Sequence, residues 1–81
     1  MLFVSLLSPK GKGSEAIKYL RELKAPQGIS VRATYFTFGR YDGLIVFEAA
    51  DLKTAMNFVM ETGFTTEYTV ETLTAIPAKE L

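Results

Sequence analysis

The sequence contains no cysteine, no histidine and no tryptophan. Disulfides, Cys/His zinc sites, His-ligated haem, thiol nucleophiles and Ser-His-Asp triads are thereby excluded. Charge of one sign is also lacking, because nine basic residues against nine acidic ones leave a formal net charge of zero. Such a balance argues against a broad basic footprint for nucleic acid or for an anionic membrane surface. No apolar run approaches the ~20 residues that span a bilayer. Residues 1–7 are apolar, but no basic segment precedes them and no cleavage site follows. A signal peptide is therefore not expected, and a cytoplasmic location is the default. Gln27 and Asn57 are the only side-chain amides; this scarcity suits a thermophile, whereas the modest charge content points the other way.

What is present suits one folded domain spanning residues 1–81, with 48% hydrophobic and 22% charged residues placing it away from disordered chains. A domain of this size buries little more than ~60% of the surface its unfolded chain exposes. With no disulfide and no evident metal, association between chains is the remaining means of burying more apolar area. Six Phe and four Tyr supply ample material for that.

Period and punctuation give the element order. Residues 1–7 (MLFVSLL) are apolar on both faces apart from Ser5, as expected of a central strand covered on both sides. Pro9 to Gly13 break the strand, and Ser14 is placed to cap a helix with Glu15 in its first turn. Ala16, Ile17, Leu20 and Leu23 make one stripe of that helix, which Pro26 and Gly28 end. From Ile29 to Phe38 the period becomes two and β-branched and aromatic residues dominate, the pattern of a strand. Gly39-Arg40-Tyr41-Asp42-Gly43 forms a turn, and residues 44–49 (LIVFEA) return. A tip at Arg40 and Tyr41 would pair Phe36 with Ile45 and Tyr35 with Val46, barring a bulge in the turn.

Asp51 caps a second helix whose expected buried stripe is Leu52, Ala55, Met56 and Val59, with Met60 as further core filler and Gly63 as a left-handed stop. A last strand runs from Thr66 to Ile76, ended by Pro77. The order β-α-β-β-α-β is most compactly met by an α+β, ferredoxin-like fold: a four-stranded antiparallel sheet with two helices on one face. The helices cover only one face, yet the other carries Leu44, Val46, Tyr35 and Val31 in this register. Two such faces packed together would hide the patch, so a homodimer with a layered interior and a small cavity is expected.

Candidate chemistry is sparse. Gly11-Lys12-Gly13-Ser14-Glu15-Ala16 matches the dinucleotide fingerprint, but the following strands form a hairpin and 81 residues cannot hold that fold. It reads as a Gly-rich connection, at most an anion site assisted by Lys10 or Lys12. Gly39, Arg40, Tyr41 and Asp42 bring a guanidinium, a phenol and a carboxylate together at a strand end, although turn chemistry alone also explains Gly39 and Asp42. Glu48 faces away from the helices beside Val46, where a carboxylate needs Arg32, Arg40, Tyr35 or a partner-chain group. It is either an acid or base in the cavity or a rim residue in an ion pair. Glu71, Thr72 and Thr74 present a similar case. Asp, Glu and Asn are too dispersed for a metal site. Neither metal nor cofactor is expected, and the ligand candidates are Tyr35, Gly39, Arg40, Tyr41, Asp42 and Glu48.

Phe38-Gly39-Arg40-Tyr41-Asp42, followed by a strand ending Phe47-Glu48-Ala49-Ala50-Asp51, resembles the GYD domain family. Thr69-Val70-Glu71-Thr72-Leu73-Thr74-Ala75 is similar to the closing strand of that family. The likeness runs from about Ser30 to Ile76, and the first strand-to-helix connection is shorter than the family's. It implies a dimeric α/β barrel of ferredoxin-like fold and no established activity. The hairpin is also similar to the ligand-binding domain of Lrp/AsnC-type regulators, with Gly39, Tyr41 and Asp42 corresponding, although no helix-turn-helix is present. The expected function is a non-enzymatic, homo-oligomeric module that binds a small ligand or assembles at the sheet-to-sheet interface. A cofactor-independent or haem-handling oxygenase of the dimeric barrel type is the alternative.

Overall fold

In the first strand, alternate side chains are fully buried: Phe3, Ser5 and Leu7 point one way, and Leu2, Val4, Leu6 and Ser8 the other. That alternation requires neighbours on both sides, and the structure, a computed structural model describing residues 1–8, 18–66 and 68–81, supplies them. Strand β1 (Leu2–Ser8) lies between β3 (Gly43–Ala49) and β4 (Thr69–Ala75), with β2 (Ile29–Phe36) outside β3. All three pairings are antiparallel and the strand order is β2-β3-β1-β4. A helical turn at residues 18–21 (α1) and the helix α2 (Leu52–Thr66) complete the α+β, ferredoxin-like fold. A single 3-10 turn, Ala78–Glu80, follows β4. The dinucleotide-like segment, the Ser14 cap and the helical positions Ala16 and Ile17 lie outside the described residues.

The core forms between the helices and one sheet face. Phe3 stacks on Phe47 with ring centroids 5.3 Å apart, and Phe58 of α2 meets Phe47 edge-on at 4.9 Å. Leu7, Ile45, Leu20, Ile29, Ala49, Ala55 and Tyr68 complete this cluster. Gly43 faces α1 so closely that a Cβ there would stand 2.5 Å from Leu20 Cδ1. The absent side chain at Gly43 is what lets α1 seat on the sheet. Asp51 starts α2 as expected, its Oδ1 accepting the Thr54 backbone N–H at 2.7 Å.

The stripe of α2 differs from expectation. Ala55, Phe58 and Thr62 are buried and Val59 is half-buried, whereas Leu52, Met56 and Met60 are each about half exposed. Two apolar stripes compete on this helix, and the rings of Phe3 and Phe47 select the one carrying an aromatic. The methionines are therefore surface groups rather than core filler. Gly63 does not stop the helix either: among the described residues positive φ occurs at Gly28 and Gly39, and α2 continues to Thr66. The last strand correspondingly starts at Thr69.

Register in the hairpin also differs. Tyr35 pairs with Leu44 and Phe36 with Gly43, two residues from the expected alignment, and β2 ends at Phe36 rather than Phe38. A shift of two keeps each side chain on its face. A bulge does change a face, but it lies within β2 between Val31 and Ala33 instead of in the turn. The extra residue, Arg32, reverses the alternation, so Val31 opposes Phe47 and packs against the core. Its expected place on the uncovered face is taken by Arg32.

Candidate functional site: the uncovered sheet face

Both helices lie on the Phe3–Phe47 side, so among the described residues nothing covers the opposite face of the sheet. Strand by strand it presents Ser30, Arg32, Ala33 and Tyr35 from β2, and Leu44, Val46 and Glu48 from β3. Leu2, Val4 and Leu6 come from β1, and Glu71, Leu73 and Ala75 from β4. Cross-strand pairing places Val4 between Val46 and Leu73, and Leu6 between Leu44 and Glu71. The middle of the face is a continuous aliphatic patch. The contribution of β1 was foreshadowed by its apolar character on both faces. That of Leu73 was masked by the Thr-rich composition of β4.

Two polar pairs flank the patch at opposite ends. At the Leu2 end, Arg32 Nε donates to Glu48 Oε2 at 2.7 Å, and Nη2 completes the ion pair. Arg32 reaches Glu48 because the bulge turned it to this face. Of the expected partners for this carboxylate, Arg32 is the one the chain supplies, so Glu48 is not a lone acid or base. Both side chains are substantially exposed, which limits the pair to about 0–1 kcal/mol of stability.

At the Leu6 end, Tyr41 Oη donates to Glu71 Oε2 at 2.6 Å. This hydrogen bond to the carboxylate raises the Tyr41 pKa above its ordinary value, with lesser increases from burial and the Glu71 charge; Arg40 opposes them. The Arg40 guanidinium lies over the Tyr41 ring, 5.9 Å from its centroid. Gly39 adopts φ 127°, a conformation that only glycine takes readily. Thr37 closes the turn, its N–H donating to Asp42 O at 3.0 Å and its Oγ1 to Tyr41 O at 2.5 Å. Asp42 contributes through its backbone, whose N–H donates to Leu7 O at 2.9 Å and ties the hairpin to β1.

The six candidates thus divide into two groups. Tyr35, Gly39, Arg40, Tyr41 and Asp42 gather at the hairpin end, and Glu48 stands with Arg32 at the other. They do not converge on one point. An open pocket of about 380 Å³ at the Glu48 end is lined by Met1, Leu2, Glu48, Ile76, Pro77 and Glu80, among others. Among the described residues no group of three or more His, Cys, Asp or Glu could hold a metal ion. No described helix is long and apolar enough to cross a membrane.

A four-stranded antiparallel sheet with the helices on one face defines the class: an α+β domain of ferredoxin-like fold. Over residues 6–81 the chain matches the model of the GYD domain, and it belongs to that family. Among solved structures it is similar to a hypothetical protein from Pyrococcus horikoshii, at 25% identity and a TM-score of 0.70. That alignment covers 95% of this chain and 92% of the other. No curated protein matches the chain.

Proposed function

We propose that this GYD domain is a non-enzymatic homodimeric module, joined through the uncovered sheet face and holding a small ligand between the two sheets. The observation that carries this reading is the patch of Leu2, Val4, Leu6, Leu44, Val46 and Leu73 on a face that no helix covers. A continuous apolar patch left to water opposes solubility and favours association. A second copy related by a two-fold axis meets it with an identical patch, packing sheets about 10 Å apart. Both flanking carboxylates already have partners within the chain, so neither must be desolvated alone when the sheets close. That neutral, mostly aliphatic layer with two phenols at its edge suits an uncharged ligand with one or two polar groups. Tyr35 and Tyr41 are the side chains that would contact it.

Native mass spectrometry of freshly purified protein, repeated after denaturation, tests the proposal. The expected result is a dimer carrying an additional mass that denaturation releases. A monomer would overturn the interface, and a dimer without added mass at any ligand load would overturn the binding role.

A further inference from the structure

We infer that the hairpin tip of each chain docks into the end pocket of a second copy, Phe38 filling the pocket and Arg40 meeting its acidic rim. The inference rests on the homodimer reading and specifies how the two copies are oriented.

Phe38 is fully exposed and lies in the turn that follows β2, where none of the described residues covers the ring. An aromatic side chain of this size left in water forgoes the burial of nearly all its apolar surface. The end pocket has the reverse character: a concave site whose lining includes the half-exposed Met1 and Ile76 together with Leu2 and Pro77. Its volume of about 380 Å³ is ample for one phenyl ring. Glu48 and Glu80 form its acidic component. Glu48 is already paired with Arg32, and Glu80 takes part in no ion pair among the described residues. At the tip, Arg40 has no carboxylate partner among the described residues, and its guanidinium lies over the Tyr41 ring. Charge and shape are therefore complementary: an aromatic and a free guanidinium at one end, an apolar hollow and a free carboxylate at the other.

The two features cannot satisfy each other within one chain. The tip is tied to the Leu7–Ser8 end of β1 by the Asp42 N–H bond to Leu7 O, whereas the pocket begins at Leu2. Five to six strand residues, about 16–20 Å, separate them. With β2 and β4 at opposite edges of the sheet, tip and pocket lie at diagonally opposite corners. Two copies packed face to face about a two-fold axis perpendicular to that diagonal, oblique to the strands, bring each tip over the other's pocket, twice by symmetry. An axis along the strands would instead set each tip over the Ser8–Thr69 end of β1 and β4 in the other copy.

The cysteine-free sequence allows a direct test by pairing Phe38→Cys with Ile76→Cys in one chain. Both positions are exposed, so neither substitution disturbs the core. A disulfide requires Cα atoms within about 7 Å. The expected result after mild oxidation is a covalent dimer whose 38–76 crosslink joins two chains, with each single variant remaining uncrosslinked. A native dimer lacking that crosslink, or crosslinking by Phe38→Cys alone, would overturn the orientation while leaving the homodimer intact. A monomer in native mass spectrometry would overturn both. Independently, Arg40→Glu is expected to raise the dimer Kd about tenfold, and adding Glu80→Arg to recover most of it. Failure of the exchange to recover affinity would count against the charge contact.

Discussion

Tyr41 and Asp51 show how single side chains at the edge of this sheet respond to their partners. The Tyr41 phenol is held in its protonated form chiefly by donating to Glu71. Folding thus favours the protonated phenol, a contribution fully present below the ordinary phenol pKa of about 10 and lost as pH rises through the higher folded value. Glu71→Gln is expected to bring this phenol back toward its ordinary range, read as an earlier phenolate transition in an alkaline absorbance titration. An unchanged titration curve would mean the bond does not persist in solution. Asp51 shows the opposite sign. The Thr54 backbone N–H, aided by its hydroxyl, holds the Asp51 carboxyl below its usual range. Its stabilisation is complete above the ordinary Asp pKa and fades as pH falls through the folded value. Asp51→Ala is expected to lower Tm by several degrees at neutral pH and to make little difference in acid; Asp51→Asn is expected to retain most of the cap. Both side chains were visible in the sequence as a cap and a turn aromatic. The Glu71 partner was not, because it comes from β4, thirty residues away.

Among elements, β2 carries the most information, since one extra residue decides the chemistry of a whole face. Before Arg32, odd positions face the core; after it they face outward. Deleting Arg32 would restore an unbroken ladder in which Val31 and Ala33 stay opposite Phe47 and Val46. The expected outcome is a folded protein with retained strand signal in circular dichroism, in which Glu48 has lost its cation. Arg32→Ala keeps the bulge and loses the same ion pair, so the two variants are expected to agree within about 1 kcal/mol in denaturant unfolding. Loss of the fold only in the deletion would show that the bulge is required for the sheet's twist. No Gly or Pro marks this bulge, and strict alternation reads straight through it. The α2 face was likewise undecidable from spacing, because Leu52, Met56 and Met60 repeat as regularly as Ala55, Phe58 and Thr62.

For the whole molecule, the question is what covers the second sheet face. Val46→Asp or Tyr35→Glu is expected to convert a dimer into monomers while leaving the helix-side core, and hence the circular dichroism spectrum, unchanged. Light scattering or native mass spectrometry checks this, and unchanged mass for both variants would place the interface elsewhere. Val46 is the more severe position because it sits in the aliphatic middle, between Val4 and Ala33. Tyr35, on the edge strand, is already more than half exposed.

Local chemistry determined the order of the elements, the Asp51 cap, the hairpin turn and the apolarity of β1 on both faces. Each of these depends on residues within a few positions of one another, where periodicity and turn propensity act. Tertiary structure decided which stripe of α2 is buried, where β2 is bulged, and that Arg32 neutralises Glu48 while Glu71 accepts from Tyr41. Those outcomes depend on which side chains from distant strands share a face, and a face is assigned only when the strands have paired. Burying the Phe3, Phe47 and Phe58 rings favours one arrangement over alternatives that the linear pattern leaves nearly equal in energy.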